Sequence, residues 1–132
     1  MTVEIAQGRI LALRPARAGD GRGGVEVEVA APGFIDLQIN GAADALFNAD
    51  PTPQTIARIA QGARAGGAAQ VLPTFVTAPG EAWRAAREAA AQALAQRLPG
   101  VLGLHLEGPF LSPERAGVHR ADAMRAPTEA DV

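Results

Sequence analysis

At the start of the chain, Val3-Glu4-Ile5-Ala6 and Arg9-Ile10-Leu11-Ala12-Leu13 flank a Gln7-Gly8 pair. Glycine accepts the positive φ that a two-residue hairpin turn needs, so the pattern predicts two short antiparallel strands. Asp20-Gly21-Arg22-Gly23-Gly24 then reads as a turn, and Val25-Glu26-Val27-Glu28-Val29 alternates strictly, as a strand with one wet face does. Three strands cannot close a sandwich, so residues 1–31 are expected to form only part of a small β layer.

From Pro32 the pattern becomes strand, helix, strand, helix, strand. Along residues 34–40 a two-residue period puts Phe34, Asp36, Gln38 and Asn40 on one face and Ile35, Leu37 and Ile39 on the other. A helix is predicted from Pro53, with Thr52 as N-cap, Pro at the first helical position, and Ile56, Ile59, Ala60 and Ala63 as its apolar stripe. Gly66-Gly67 ends it. Residues 70–76 read as a second strand and 83–98 as a second helix, with Trp83, Ala86, Ala90, Leu94 and Leu98 on a common face. Pro99-Gly100 breaks that helix, residues 101–107 read as a third strand, and Gly108-Pro109 turns the chain out into a loop.

Strands joined by crossover helices pair in parallel, which leaves an open doubly wound sheet or a (β/α)₈ barrel. No G-x-G-x-x-G follows the first of these strands, and its polar row favours the barrel, where inward residues line the mouth. The expected fold is therefore α/β, with residues 32–132 as the first three units of a barrel and residues 1–31 as a partial β layer before it. A barrel needs eight units and about 250 residues. With 132 residues, the chain is expected to be a fragment or a truncated reading frame.

Composition narrows the function classes. The chain is 48% hydrophobic but only 4% aromatic, so it can collapse, yet its Ala-rich core removes little area from water per residue. A formal charge of −2, with every one of the 12 cationic residues an Arg, gives no basic footprint for a phosphate backbone, and nucleic acid is not an expected partner. The absence of Cys removes disulfides and thiolate metal sites. No apolar run approaches the roughly 20 residues that span a bilayer, and the expected location is the cytoplasm.

Candidate chemistry gathers at the expected C-terminal strand ends. Glu107 closes the third strand, where a carboxylate either binds a divalent cation, acts as acid or base, or is merely solvated. His105, two residues earlier on the same face, suits a packing or supporting role better than a ligand's. His119 lies in a glycine-flanked loop able to reach over the mouth. Asp36, Gln38 and Asn40 either form a structural hydrogen-bond network or touch substrate. Thr74 is a mouth candidate of undetermined facing.

Pro32-Gly33-Phe34-Ile35-Asp36 resembles the first barrel strand of the amidohydrolase superfamily, in which P-G-F-I-D usually leads into H-x-H. Here Gln38 and Asn40 stand in place of the two histidines. With Phe47-Asn48, Leu72-Pro73-Thr74, His105-Leu106-Glu107-Gly108-Pro109-Phe110 and Gly117-Val118-His119, the chain resembles the N-acetylglucosamine-6-phosphate deacetylases from Val3 onward. The resemblance implies metal-dependent hydrolysis of an acetamide to glucosamine 6-phosphate and acetate. Glu107 would be a metal ligand, His119 would contact the substrate and polarise its acetamide, and Gln38 and Asn40 would bind substrate rather than a second ion. One divalent metal per subunit is implied, Zn²⁺ or another such as Fe²⁺. Two further histidine ligands and an aspartate general base would come from later strands, so no general base is expected within these residues. Arg120 replaces a smaller Asn or Asp, and the start is shorter than the family's by about one hairpin. The implied partner is a small amino-sugar phosphate, neither nucleic acid nor membrane, and the complete protein would be a homo-oligomer. An amidohydrolase of another amide and a non-catalytic truncated barrel are the alternative readings.

Overall fold

Gln7 and Gly8 both take positive φ, 51° and 72°, and their turn joins β1 (Thr2–Ala6) to β2 (Arg9–Arg14) in an antiparallel hairpin, as the spacing predicts. The computed structural model describes residues 1–131, and this hairpin belongs to the first of two units, Met1–Pro32. Its polar centre is Asp20, whose carboxylate receives both Arg14 Nη1 and Nη2 at 2.8 Å, the Thr2 hydroxyl at 2.8 Å and the Arg17 amide at 2.6 Å. The Arg14 hydrogen bonds above all hold the Asp20 carboxyl well below the usual carboxylate range. The strand expected over residues 25–29 does not form, and all three of its valines stay exposed. An alternating pattern becomes a strand only beside a partner that accepts its backbone, and within this unit β1 and β2 pair only with each other.

The second unit begins at Gly33. Three parallel strands, β3 (Phe34–Ile39), β6 (Ala68–Val76) and β7 (His105–Glu107), lie in the order β3-β6-β7. The crossovers are α1 (Pro53–Ala65) and α2 (Ala82–Ala95). A small hairpin, β4 (Gly41–Ala42) and β5 (Ala45–Leu46), fills the connection from β3 to α1. Among the described residues no helix is long and apolar enough to cross a membrane.

Thr52 caps α1 as its sequence implies, its Oγ1 accepting from the Thr55 amide at 3.2 Å. Asp50 adds a carboxylate at the same positive helix end, taking the Thr55 hydroxyl at 2.6 Å. The expected stripe of Ile56, Ile59, Ala60 and Ala63 is buried without exception. It meets Phe75 from β6, Phe47 from the segment after β5, and an alanine face of α2. Phe47 and Phe75 pack edge to face with ring centroids 6.1 Å apart. Burying Ile56, Ile59 and Phe47 contributes on the order of 2 kcal/mol apiece, more than the surrounding alanines can.

Several expected details change. The buried face of α2 is Ala86, Ala89, Ala90 and Ala93, the helix ends at Ala95, and Leu94 is substantially exposed. The small alanine side chains present that face to α1, and Leu94 falls beside the seam. The third strand is paired only over His105–Glu107, with an isolated bridge from Val71 to Val101 upstream. Val71 sends its amide to Gly100 and accepts from the Leu102 amide, so Pro73, two residues on, points the same way with no N–H to give, and the ladder lapses. Nor does β3 keep one clean alternation. Its register to β6 shifts twice, and of its three aliphatics only Ile39 packs into the helix-side core while Ile35 and Leu37 stay exposed.

Candidate metal and substrate site at the strand ends

All three parallel strands run the same way, so their C-terminal ends share one edge, the edge at which open and closed α/β sheets bind ligands. β7 ends with Glu107 opposite Val76, and one step further the Thr77 amide donates to the Glu107 carbonyl at 2.8 Å. The Thr77 hydroxyl donates to the same oxygen at 2.7 Å. Asn48 ties the segment after β5 to this end of β6 as a strand would, its Nδ2 donating to the Val76 carbonyl and its Oδ1 accepting from the Val76 amide, both at 2.8 Å.

His119 arrives from the loop beyond β7. A turn in which its amide donates to Ala116 O at 3.0 Å brings the imidazole to the strand ends. Its Nε2 lies 3.3 Å from Glu107 Oε1, and its Nδ1 lies 3.2 Å from Thr77 Oγ1. The His119 side chain is 11% exposed and that of Glu107 27%, so a largely sequestered imidazole faces a partly open carboxylate. The same loop is pinned further on by Arg125. Its amide donates to Pro109 O at 3.1 Å, its guanidinium sits 5.1 Å over the Phe110 ring, and it forks onto Asp131 at 2.6 and 2.7 Å. That fork, more than the Thr128 amide beside it, drives the Asp131 carboxyl well below its ordinary range.

Gly108 makes this arrangement possible. Its φ is +97°, and a Cβ there would fall 1.9 Å from Thr77 Oγ1, so only glycine lets the chain leave β7 across the Thr77 hydroxyl.

Thr74 and His105 pair across β6 and β7 and share a hydrogen bond of 3.1 Å between Oγ1 and Nδ1. Thr74 is fully buried, which settles its facing toward His105. His105 has no hydrogen bond to Glu107 or His119 among the described residues. Gln38 and Asn40 lie apart from the pair. β6 separates their strand from β7, so at about 4.8 Å per strand the two lines are on the order of 10 Å apart. Asn40, just past β3, is half-buried, and its carbonyl accepts from the Phe47 amide at 2.9 Å. Gln38 is exposed and borders a cavity of about 570 Å³ with Phe34, Ile35, Asp36, Leu37, Gly66 and Ala68. That cavity contains neither Glu107 nor His119, and the close polar contacts around that pair mark the chemistry better than its volume does. Arg120 points to Asp122 as an exposed ion pair, and among the described residues no hydrogen bond or ion pair ties it to the site.

For a divalent cation, the donor these strand ends present is the Glu107 carboxylate, with the His119 imidazole beside it. Among the described residues no three His, Cys, Asp or Glu side chains converge. Catalytic zinc takes about three protein ligands, so the residues present fit part of a coordination sphere and do not complete one.

No family model matches the chain. Over 97 residues, 74% of its length, it is 40% identical to an N-acetylgalactosamine-6-phosphate deacetylase from Shewanella sp. (strain ANA-3). It is 40% identical over 93 residues to an N-acetylglucosamine-6-phosphate deacetylase from Haemophilus influenzae. The chain is homologous to these hexosamine-6-phosphate deacetylases over the matched residues. The resemblance read from its motifs is thereby borne out. A crystal structure of the N-acetylglucosamine-6-phosphate deacetylase from Pasteurella multocida matches with a TM-score of 0.70 at 40% identity, covering 74% of this chain and 26% of that one. The chain spans about a quarter of the length of the curated deacetylases it matches, 25% and 24% for the first two.

Thr77 escaped the sequence reading. It is the first residue beyond the expected 70–76 strand, one step past the position opposite Glu107, and its place at a strand end was the available signal. In the sequence Asn48 stands out only as part of the Phe47-Asn48 motif, because its bridge to Val76 spans 28 residues and leaves no local trace.

Proposed function

We propose that the protein, with the remaining length its relatives possess, hydrolyses the acetamide of an N-acetylhexosamine 6-phosphate to the amino sugar phosphate and acetate. The observation that carries this reading is the Glu107–His119 pair at the C-terminal strand ends, in a chain 40% identical to deacetylases of that substrate class. In this reading the three parallel strands are the first units of a (β/α)₈ barrel and residues 1–31 are part of a separate β layer. Glu107 supplies one ligand to a single divalent metal, Zn²⁺ or Fe²⁺, and residues outside this chain supply the others together with the general base. A bound cation of this kind polarises a carbonyl and lowers the pKa of water from 15.7 toward about 7. His119, held by Thr77, presents Nε2 to the acetamide oxygen. Gln38 and Asn40 bind substrate, because neutral carboxamide oxygens are weak ligands for a transition metal. Under this reading the protein is cytoplasmic and homo-oligomeric, and its partner is a small molecule.

A second reading differs only at the sugar. Relatives of both names match equally well, so N-acetylgalactosamine 6-phosphate is the competing substrate. Acetate release by the purified full-length protein from both phosphosugars and from unphosphorylated N-acetylglucosamine, with metal content measured alongside, tests the proposal. Turnover of the glucosamine derivative with about one tightly bound ion per subunit is expected. No release from either phosphosugar by metal-loaded protein would refute the activity, and two tight ions would refute the role given to Gln38 and Asn40.

A further inference from the structure

β3 pairs with β6 no further than Ile39 opposite Pro73. Its chain then leaves the sheet, and the Asn40 carbonyl accepts from the Phe47 amide at 2.9 Å instead. β6 runs on to Val76, which lies opposite Glu107 of β7. Adjacent residues of a strand direct their backbone groups to opposite flanks. The Thr77 amide faces β7, donating to the Glu107 carbonyl at 2.8 Å, so the Val76 N–H and C=O face the flank that β3 has left. Asn48 meets them there, its Oδ1 accepting from the Val76 amide and its Nδ2 donating to the Val76 carbonyl, both at 2.8 Å. The carboxamide has one workable orientation, because a flipped amide would set donor against donor and acceptor against acceptor. We propose that Asn48 is a positioning residue whose carboxamide replaces the missing rung of β3 and fixes the level at which β6 holds the Glu107 end of β7. Its consequence for catalysis rests on the deacetylase reading, while the clamp itself rests on the contacts.

The carboxamide is presented from a fixed backbone. Phe47 beside it is fully buried and packs edge to face on Phe75, the residue before Val76. On its other side the Ala49 amide closes a turn onto the Leu46 carbonyl at 3.1 Å. Phe47 and Asn48 thus grip two successive residues of β6, and the next, Thr77, holds the Glu107 carbonyl through both its amide and its hydroxyl. A cap on a strand end would steady that end wherever it lay. Here the two grips fall on opposite flanks of adjacent residues, so a change in the position of Val76 is passed directly to the Thr77–Glu107 contact. Side chains of similar size do not serve. Asp offers the Val76 carbonyl no donor and sets a carboxylate against it, and Leu offers neither partner.

Residue-resolved hydrogen exchange of the full-length protein, alongside acetate release, provides the test. In the wild type the Val76 and Thr77 amides are expected to exchange at least roughly a hundredfold more slowly than free amides. A Val76 amide exchanging at the free rate would overturn the clamp whether or not any variant folds. Asn48→Ala leaves the acceptor of the Thr77 amide in place, yet is expected to speed exchange of that amide roughly tenfold, with Ile59 and Ala60 inside α1 changed by less than about threefold. An unchanged Thr77 amide would reduce Asn48 to a local cap, an equal change in α1 would reduce it to general stability, and either would overturn the proposal. Asn48→Asp is expected to match the alanine variant at Thr77, and wild-type protection there would overturn the need for a donor. In acetate release both variants are expected to lower kcat roughly tenfold with KM within about threefold, and a wild-type kcat in both would overturn the role at Glu107. A wild type that releases no acetate is a separate outcome, because it removes the deacetylase reading and leaves the exchange result standing.

Discussion

Replacing Gly108 by Ala would test the strand-end site most directly. The added methyl would be placed 1.9 Å from Thr77 Oγ1 on a backbone with φ of +97°. The positive φ alone costs an L-residue about 1–2 kcal/mol. Displacing the Thr77 hydroxyl also breaks its bonds to Glu107 O and His119 Nδ1, each worth about 1 kcal/mol net, so the expected total is roughly 3–4 kcal/mol. Thr77→Ala removes the obstructing oxygen and those same two bonds, at about 2 kcal/mol. In that background Gly108→Ala has only the backbone strain and a Cβ approach of 3.1 Å left to pay. A double-mutant cycle in urea, followed by Trp83 fluorescence with m-values checked for constancy, should therefore give a coupling of about 2 kcal/mol. Additivity within about 0.5 kcal/mol would show that the methyl and the hydroxyl do not compete for the same space, and the account of this glycine would fail.

Three further outcomes follow from other parts of the structure. On the proposed deacetylase reading, Glu107→Gln keeps the volume but removes the anionic donor, so zinc affinity of the full-length protein should fall at least tenfold and deacetylation with it; unchanged metal content would take Glu107 out of the proposed coordination sphere. Thr52→Ala should destabilise the second unit by about 1 kcal/mol through loss of the α1 cap, whereas Thr52→Ser should be nearly neutral, and equal losses in a urea titration would contradict the capping account. The folded-state pKa of Asp131 is depressed, so its contribution is present above the ordinary carboxylate pKa and is lost as pH falls below that range through the folded value. Arg125→Ala should therefore flatten the stability profile in acid while leaving little pH dependence near neutrality, and an unchanged acid limb would refute this pairing.

The hairpin at Gln7-Gly8, the capped start of α1 and its four-residue stripe were legible in the sequence because each rests on neighbours within one turn of chain. Parallel strands joined by helices followed from the same local periods, and Glu107 stood out because Gly108-Pro109 marks where its strand must stop. The valine alternation over residues 25–29 misled because its outcome depends on a partner strand, a fact the segment does not contain. Pro73 was visible in the sequence, but its effect on the pairing of residues 101–104 required knowing that its missing N–H points toward β7 and not β3. His119 and Glu107 are 12 residues apart, and His119 and Thr77 are 42 apart. Sequence alone supplied the imidazole, the carboxylate and the hydroxyl. Only the parallel sheet, the turn at Ala116–His119 and the bare backbone of Gly108 bring them together, because each of those distances depends on chain folding across elements with no common local period.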